Sequence, residues 1–263
     1  MNEEELLFTD MLKCDRASLY LDKNARLGKE RGRFAAGVLK RRASGEPLQY
    51  ILGKADFMGL ELKVSPDVLI PRPETEILVE AAVGYISKIQ KENPGRLSVL
   101  EIGTGSGCIA ICLAKSLKDI SITATDISAK ALSMAKKNAV WNKVSRKINF
   151  MQSDLFHMCN KTYNVIVSNP PYVPTGQIDN LQPEIKFEPR IALDGGTDGL
   201  KFHHRIINES LHYLARRGLL IMEIGFGQLA AVMDIFSAAK EFEVIHVVTD
   251  YNKIDRVVIA KRK

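Results

Sequence analysis

The tandem Pro170-Pro171 constrains the fold of this 263-residue chain more than any other local feature. It follows residues 163–168, an apolar run whose length and β-branched content predict a buried strand. Two successive prolines remove two backbone donors and hold φ at about −65°, so a β-ladder cannot continue through them. Asn169, directly before the pair, is held out of helical geometry. The chain therefore leaves the strand as a stiff ledge carrying an amide side chain, two proline carbonyls and the ring of Tyr172. In an open α/β sheet, ligands bind beyond the carboxyl ends of the strands, where such a ledge lies. Pro-Pro alone is an ordinary strand terminator. The flanking Asn169 and Tyr172 give it chemistry.

A planar –NH2 group attached to a carbonyl or an aromatic ring has a delocalised lone pair and is a poor nucleophile. The Asn169 oxygen and the Pro170 carbonyl can each accept one of its N–H bonds, fixing its rotation and pushing electron density onto nitrogen as it attacks. Tyr172 can stack on the planar group, and Pro171 completes the surface that holds it. This is catalysis by positioning and by acceptors aimed at developing positive charge, with no strong base required. The reaction indicated is alkyl transfer to an NH2 nitrogen, with Asn169, Pro170 and Tyr172 as catalytic residues.

Around this ledge the hydrophobic pattern alternates. Strands are predicted over 97–102, 120–125, 148–152, 163–168 and 218–224, and helices over 107–117, 128–141, 200–214 and 226–239. Strands separated by helices mean a largely parallel, doubly wound sheet. Strands 242–248 and 256–260 have almost no helix between them, so they pair antiparallel as a hairpin at one edge, giving seven strands in a mixed sheet. Upstream, residues 1–52 predict short helices, with Leu6, Leu7, Met11 and Leu12 on one face and Phe34, Val38 and Leu39 on another. Asp15 and Ser18 are candidate caps; Gly28, Gly32 and Gly45-Glu46-Pro47 are candidate breaks. Alternation over 57–70 predicts a β-hairpin. Pro73 suits a first helical turn, and Glu74 and Glu76 suit its positive dipole end. The chain thus divides into a helical domain over 1–54, a hairpin linker over 55–72 and an α/β domain over 73–263.

Composition, at 46% apolar and 26% charged, is that of an ordinary globular protein. The acidic N-terminus has no secretory pattern, and no apolar run approaches the roughly 18 residues of a membrane span. A cytoplasmic monomer is expected. Four cysteines, at 14, 108, 112 and 159, fit no metal spacing and are expected as free thiols; no metal site is expected. Much of the net +6 charge lies between Lys23 and Arg42, either a solvated helix face or a dock for an acidic partner.

The loop Gly103-Thr104-Gly105-Ser106-Gly107 joins the first strand of the alternation to its helix. Its third glycine comes one residue too early for the dinucleotide fingerprint, and position 108 is Cys. Asp126 ends the next strand, where a carboxylate can accept both ribose hydroxyls. After the third strand, Asp154 can accept from an adenine amino group, and Leu155 or Phe156 can cover the ring. Singly, each is also a turn or a cap. Together, three successive strand ends carry adenosine-compatible groups and the fourth carries the ledge.

This set resembles the S-adenosylmethionine-dependent amino-methyltransferases. More narrowly, the chain is similar to the N5-glutamine methyltransferases of peptide chain release factors. The match rests on Leu69-Ile70-Pro71-Arg72-Pro73-Glu74-Thr75-Glu76, on Pro47-Leu48-Gln49-Tyr50-Ile51-Leu52-Gly53 and on Phe187-Glu188-Pro189 with Ala192-Leu193-Asp194-Gly195-Gly196 and Asp198-Gly199-Leu200. The resemblance implies a Rossmann-like catalytic domain, a helical N-terminal domain that binds the release factor, and methylation of the glutamine amide in the Gly-Gly-Gln loop of class 1 release factors, with S-adenosylhomocysteine as product. It implies Gly103 to Gly107, Asp126, Asp154, Leu155 and Asn169 as cofactor contacts. Leu155 departs from relatives that carry an aromatic over the adenine.

A competing reading is a nucleic-acid amino-methyltransferase acting on adenine N6 or cytosine N4, whose NH2 groups the ledge suits equally. No base-recognition domain accompanies it, and nucleic acid is not required by the first reading. Arg72, held between prolines, is a candidate for a substrate or cofactor carboxylate. His203 and His204 are expected to face solvent, Glu101 and Glu223 to brace backbone donors, and Trp141 to pack in the core or at a helix end. Glu188 and Arg190, in the irregular segment 175–199, are expected to close over the site as a lid.

Overall fold

The computed structural model describes residues 5, 7–9, 14–21 and 29–263. Asp15 accepts from the Ser18 amide at 2.7 Å and caps α1 (Arg16–Leu21). The next helix, α2 (Lys29–Ala43), runs through Gly32 rather than breaking there, since one helical glycine costs only about 1 kcal/mol. Val38 is buried beside Leu7 and Leu48, but Phe34 and Leu39 are exposed, and Ala35 takes the inner position. Leu6, Met11, Leu12, Lys23, Arg26 and Gly28 lie outside the described residues. Part of the basic run is neutralised: Arg41 donates to Glu46 at 2.7 Å and Arg42 to Glu184 at 3.0 Å. After α3 (Leu48–Leu52) the chain enters the hairpin of β1 (Lys54–Phe57) and β2 (Leu60–Lys63).

This hairpin is earlier and tighter than the sequence pattern predicts. Met58 and Gly59 both have left-handed φ, 49° and 72°, and form a two-residue turn between Phe57 and Leu60. Alternation persists to Ile70 because Val64, Val68 and Ile70 are buried against Tyr50 and Ala131, not because they pair in a sheet. Helix α4 (Pro73–Glu92) then opens on Pro73. Its Glu76 does more than complement the dipole, accepting from the Met58 amide at 2.7 Å and tying the hairpin turn to the helix.

The α/β domain follows as β3 (Leu97–Ile102), α5 (Cys108–Ser116), β4 (Ile120–Asp126), α6 (Ala129–Trp141), β5 (Ile148–Gln152), β6 (Tyr163–Ser168), α7 (Lys201–Ser210), β7 (Leu214–Glu223), α8 (Leu229–Ala238), β8 (Phe242–Thr249) and β9 (Asp255–Arg262). Its seven strands lie in the order β5-β4-β3-β6-β7-β9-β8. Only β9 runs antiparallel to its neighbours, which makes the expected C-terminal hairpin. β7 starts at Leu214, ahead of the predicted 218, because the chain bulges between Leu214 and Leu219 with Arg217 at φ 62°.

Alternate residues of the central strands feed two cores. Val99, Val165 and Ile221 pack on the side of α4 and α5, while Leu100, Ile166 and Leu220 pack on the side of α7 and α8. Both faces are covered, which is why these strands read as unbroken apolar runs. The order of strands reverses between β3 and β6. Ile102 lies opposite Ser168 there, so the glycine loop and the ledge leave the sheet side by side.

Candidate active site

A cleft opens at that reversal, walled by Gly103, Gly105, Asp126, Leu155, Asn169, Pro170 and Pro171. On one side the glycine loop turns back at three left-handed positions, with φ of 74° at Gly103, 53° at Gly105 and 86° at Gly107. Asp126 locks this turn. One oxygen accepts from the Gly105 amide at 2.8 Å and the other from the Ser128 amide at 2.9 Å, while Ser128 itself caps α6. Burial nevertheless raises the Asp126 pKa. Each oxygen keeps a lone pair for a hydroxyl donor. The apolar wall consists of Ile127, Leu155, Phe202 and Ile206. A carboxylate beside a glycine turn, opposite an apolar slot, fits the diol and flat base of an adenosine.

Not every residue of the loop reaches the cleft. Thr104 turns inward and donates to Glu101 at 2.7 Å, the Ser106 carbonyl accepts from Asn138, and a Cβ on Gly107 would fall 3.1 Å from that of Ala135. These three shape the loop from behind. Asp154 lines the cleft but is paired with Arg205 at 2.9 Å. Phe156 gives no cover to a base: it is buried and stacked on Tyr213, with ring centres 4.9 Å apart. Ile127, exposed directly after the acid, and Phe202 take that place. An exposed isoleucine at a strand end was the signal for the first.

Across the cleft, Asn169 Nδ2 donates to Thr75 Oγ1 at 3.0 Å, which leaves Oδ1 as a free acceptor among the described residues. The Pro170 carbonyl likewise accepts no hydrogen bond among the described residues. Tyr172 does not stand over the cleft. Its hydroxyl donates to Glu223 at 3.3 Å, its carbonyl accepts from Gln228 at 3.0 Å, and burial holds its hydroxyl neutral. Gln228 gave no sequence signal and Thr75 stood out only as part of the family-like stretch 69–76, since each meets the ledge from a distant segment.

The lid closes one side. Residues 175–192 fold into three short 3-10 turns, and Pro189, Ile191 and Ala192 reach the cleft wall. Arg72 does not line the cleft. It pairs with Glu188, whose side chain is 1% exposed, so it fastens the lid to the linker. Arg190 pairs with Asp194 at 3.6 Å on the lid itself. Gly195 lies so close to the ledge that a Cβ would fall 2.8 Å from the Pro171 carbonyl. His203 is fully buried, contrary to expectation, with Nε2 3.1 Å from the Glu223 carbonyl, and burial lowers its pKa; His204 faces solvent as predicted. Trp141 ends α6, 55% exposed, with the Lys63 ammonium 4.9 Å from its ring centre. All four cysteines are free.

Comparison with known proteins agrees with this geometry. A family described as "Methyltransferase small domain" matches residues 81–185, and one described as "PrmC N-terminal domain" matches residues 2–53. A release factor glutamine methyltransferase of Geobacter sulfurreducens is 40% identical over 97% of this chain and 87% of its own length. One from Thermodesulfovibrio yellowstonii is 40% identical over 100% of this chain and 92% of its own. Among solved structures, a methyltransferase from Pyrococcus furiosus superposes with a TM-score of 0.56 at 16% identity, over 88% of this chain and 98% of that one, a likeness of fold.

Proposed function

The chain belongs to the release factor glutamine methyltransferases, and from that premise we propose that its ledge holds the glutamine side chain of the Gly-Gly-Gln loop of class 1 release factors while the amide nitrogen is methylated. The observation that carries this reading is the Asn169 amide, pinned through its nitrogen so that its oxygen remains as an acceptor beside the Pro170 carbonyl. S-adenosylmethionine supplies the methyl group on a sulfonium carbon and leaves as S-adenosylhomocysteine. Asp126, Gly103 and Gly105 would hold its adenosine and tail, with Ile127, Leu155 and Phe202 against the base and Asp154 at its edge.

Two carbonyl acceptors then bind the two amide hydrogens. The nitrogen is held rotationally still, in a cleft walled on one side by the lid, and its lone pair gains density as positive charge develops. The N–CH3 bond forms at the expense of the donor's S–CH3 bond, and one N–H proton passes to solvent. Residues 1–54 would bind the body of the release factor, and the enzyme acts as a cytoplasmic monomer without nucleic acid. Among the described residues, no helix is long and apolar enough to cross a membrane. The nucleic-acid reading loses support where the basic segment is already paired with Glu46 and Glu184.

Incubation with labelled methyl donor tests the proposal. Peptide mass spectrometry should place one added CH2 on the loop glutamine of a purified release factor. Label appearing on nucleic acid, with the release factor unmarked, would overturn it.

A further inference from the structure

One large side chain beside the ledge serves neither core of the sheet. Phe226, in the loop between β7 and α8, is 78% exposed and is part of neither cluster that covers the strands. A single exposed aromatic means little by itself. What sets this one apart is how its loop is held. Gly225 lies against the ledge: a Cβ there would fall 3.0 Å from Tyr172 Cδ2, so a glycine is what lets the backbone come this near. Gln228 closes the loop from its other end. Its Oε1 accepts from the Gly225 amide at 2.8 Å, and its Nε2 donates to the Tyr172 carbonyl at 3.0 Å. Residues 225–228 are thus fastened to the ledge as one unit. An apolar ring displayed on a fixed loop loses little freedom when something covers it.

Tyr251 supplies the contrast. It is 97% exposed on the turn between β8 and β9, at the same end of the sheet as the close of β7. Asp250 accepts from the Asn252 and Ile254 amides and pairs with Arg256, so this turn is tied to its own hairpin. Among the described residues, no hydrogen bond joins it to the ledge.

We propose that Phe226 is a specificity-determining residue that lies on the bare main chain of a glycine next to the reacting glutamine, so that the enzyme selects glutamines with such a neighbour. This rests on the reading of the ledge given above. The ledge follows β6, which lies between β3 and β7. The cleft that suits the donor opens on the β3 side, with Gly103 and Gly105 in its wall, and Phe226 borders the ledge on the β7 side. Transfer from a sulfonium carbon is in line, so the nitrogen and the departing sulfur take opposite sides of the methyl group. The substrate's main chain therefore belongs on the side away from the donor. A glutamine reaches about 5 Å from Cα to its amide nitrogen, and the next Cα is about 3.8 Å further along, which brings its neighbours to the rim where Phe226 stands. A glycine presents an unshielded CH2 and peptide plane that a flat ring can cover. Any Cβ on that residue holds the ring away.

The test measures methylation of a purified release factor, and of one whose glycine beside the glutamine is replaced by alanine, by the wild type, Phe226→Ala, Phe226→Tyr and Tyr251→Ala. With the natural substrate, Phe226→Ala should raise KM about tenfold while kcat, and donor affinity by calorimetry, stay within about twofold. Phe226→Tyr should restore KM, and Tyr251→Ala should leave it unchanged. Urea midpoints should not move, because the ring is exposed. The alanine substrate should lower kcat/KM about tenfold for the wild type and hardly at all for Phe226→Ala, the coupling expected of two groups in contact. Unaltered KM in Phe226→Ala, or an equal penalty for the alanine substrate with and without the ring, would overturn this inference and leave the assignment of substrate standing. A release factor left unmethylated by the wild type would overturn both.

Discussion

Two buried carboxyls flank β6, and they keep different company. Glu101 in β3 and Glu223 at the end of β7 are both almost fully buried, each leaves one oxygen without a strict partner, and burial raises both, to about 8 and about 7. The hydroxyl that serves Glu101 belongs to Thr104, three residues along the same loop. The one that serves Glu223 belongs to Tyr172 on the ledge, 51 residues away in the chain. The half of the cleft that suits adenosine is thus built locally, strand end by strand end. The half proposed to hold the reacting group is assembled from α4, the ledge, β7 and the lid.

The largest expected effect falls on the assembled half. Asn169→Ala should lower kcat on the order of 10³-fold, about 4 kcal/mol, while calorimetry still detects weakened donor binding. Unchanged turnover would remove the ledge from the chemistry. Next come two glycines, one in each half. Gly199 has φ of 78°, and a Cβ there would meet the Tyr172 carbonyl and lie 2.7 Å from Gln228 Nε2, so Gly199→Ala should cost about 3 kcal/mol. Gly103 has similar φ but its nearest obstacle is 3.9 Å away, so Gly103→Ala should cost only about 1 kcal/mol. Equal losses in urea unfolding would break the comparison.

Arg72→Ala should follow at about 2 kcal/mol, because it leaves Glu188 buried without its cation, discounted for the partial exposure of Arg72. Limited proteolysis should then cut faster within 175–199. The last effect is a slope. Unfolded, Glu101 titrates near its ordinary 4.5; folded, near 8. Between these values only the folded state carries the proton, so this stability is full below the first, falls as pH rises, and is gone above the second. Glu101→Gln should remove up to about 1.4 kcal/mol per pH unit of that decline, measured by urea midpoints at about pH 5.5 and 7.5. A variant slope matching the wild type would return the proton to another group.

Residues 93–263 were legible because strand and helix periods alternate and glycines, prolines and strand-end acids mark the turns. Asn169, Pro170, Gly103, Gly105, Asp126 and Leu155 all reached the cleft as their positions predicted. Arg72 and Tyr172 were singled out correctly as unusual but given the wrong partners, since a side chain's neighbour across the fold leaves no trace in local spacing. His203 looked solvent-facing for the same reason: α7 turns it toward β7.

By itself, then, the sequence determined the order of elements, the stiff corner after β6 and the acceptors and apolar groups that surround a donor, because these follow from local dihedral limits and the two backbone periods. Only the tertiary structure decided which way the Asn169 amide points, what Tyr172 and Arg72 hold, and which carboxyl lies beneath the ledge. Hydrogen-bond polarity is a property of partners brought together by the sheet, and those partners lie in separate stretches of the chain.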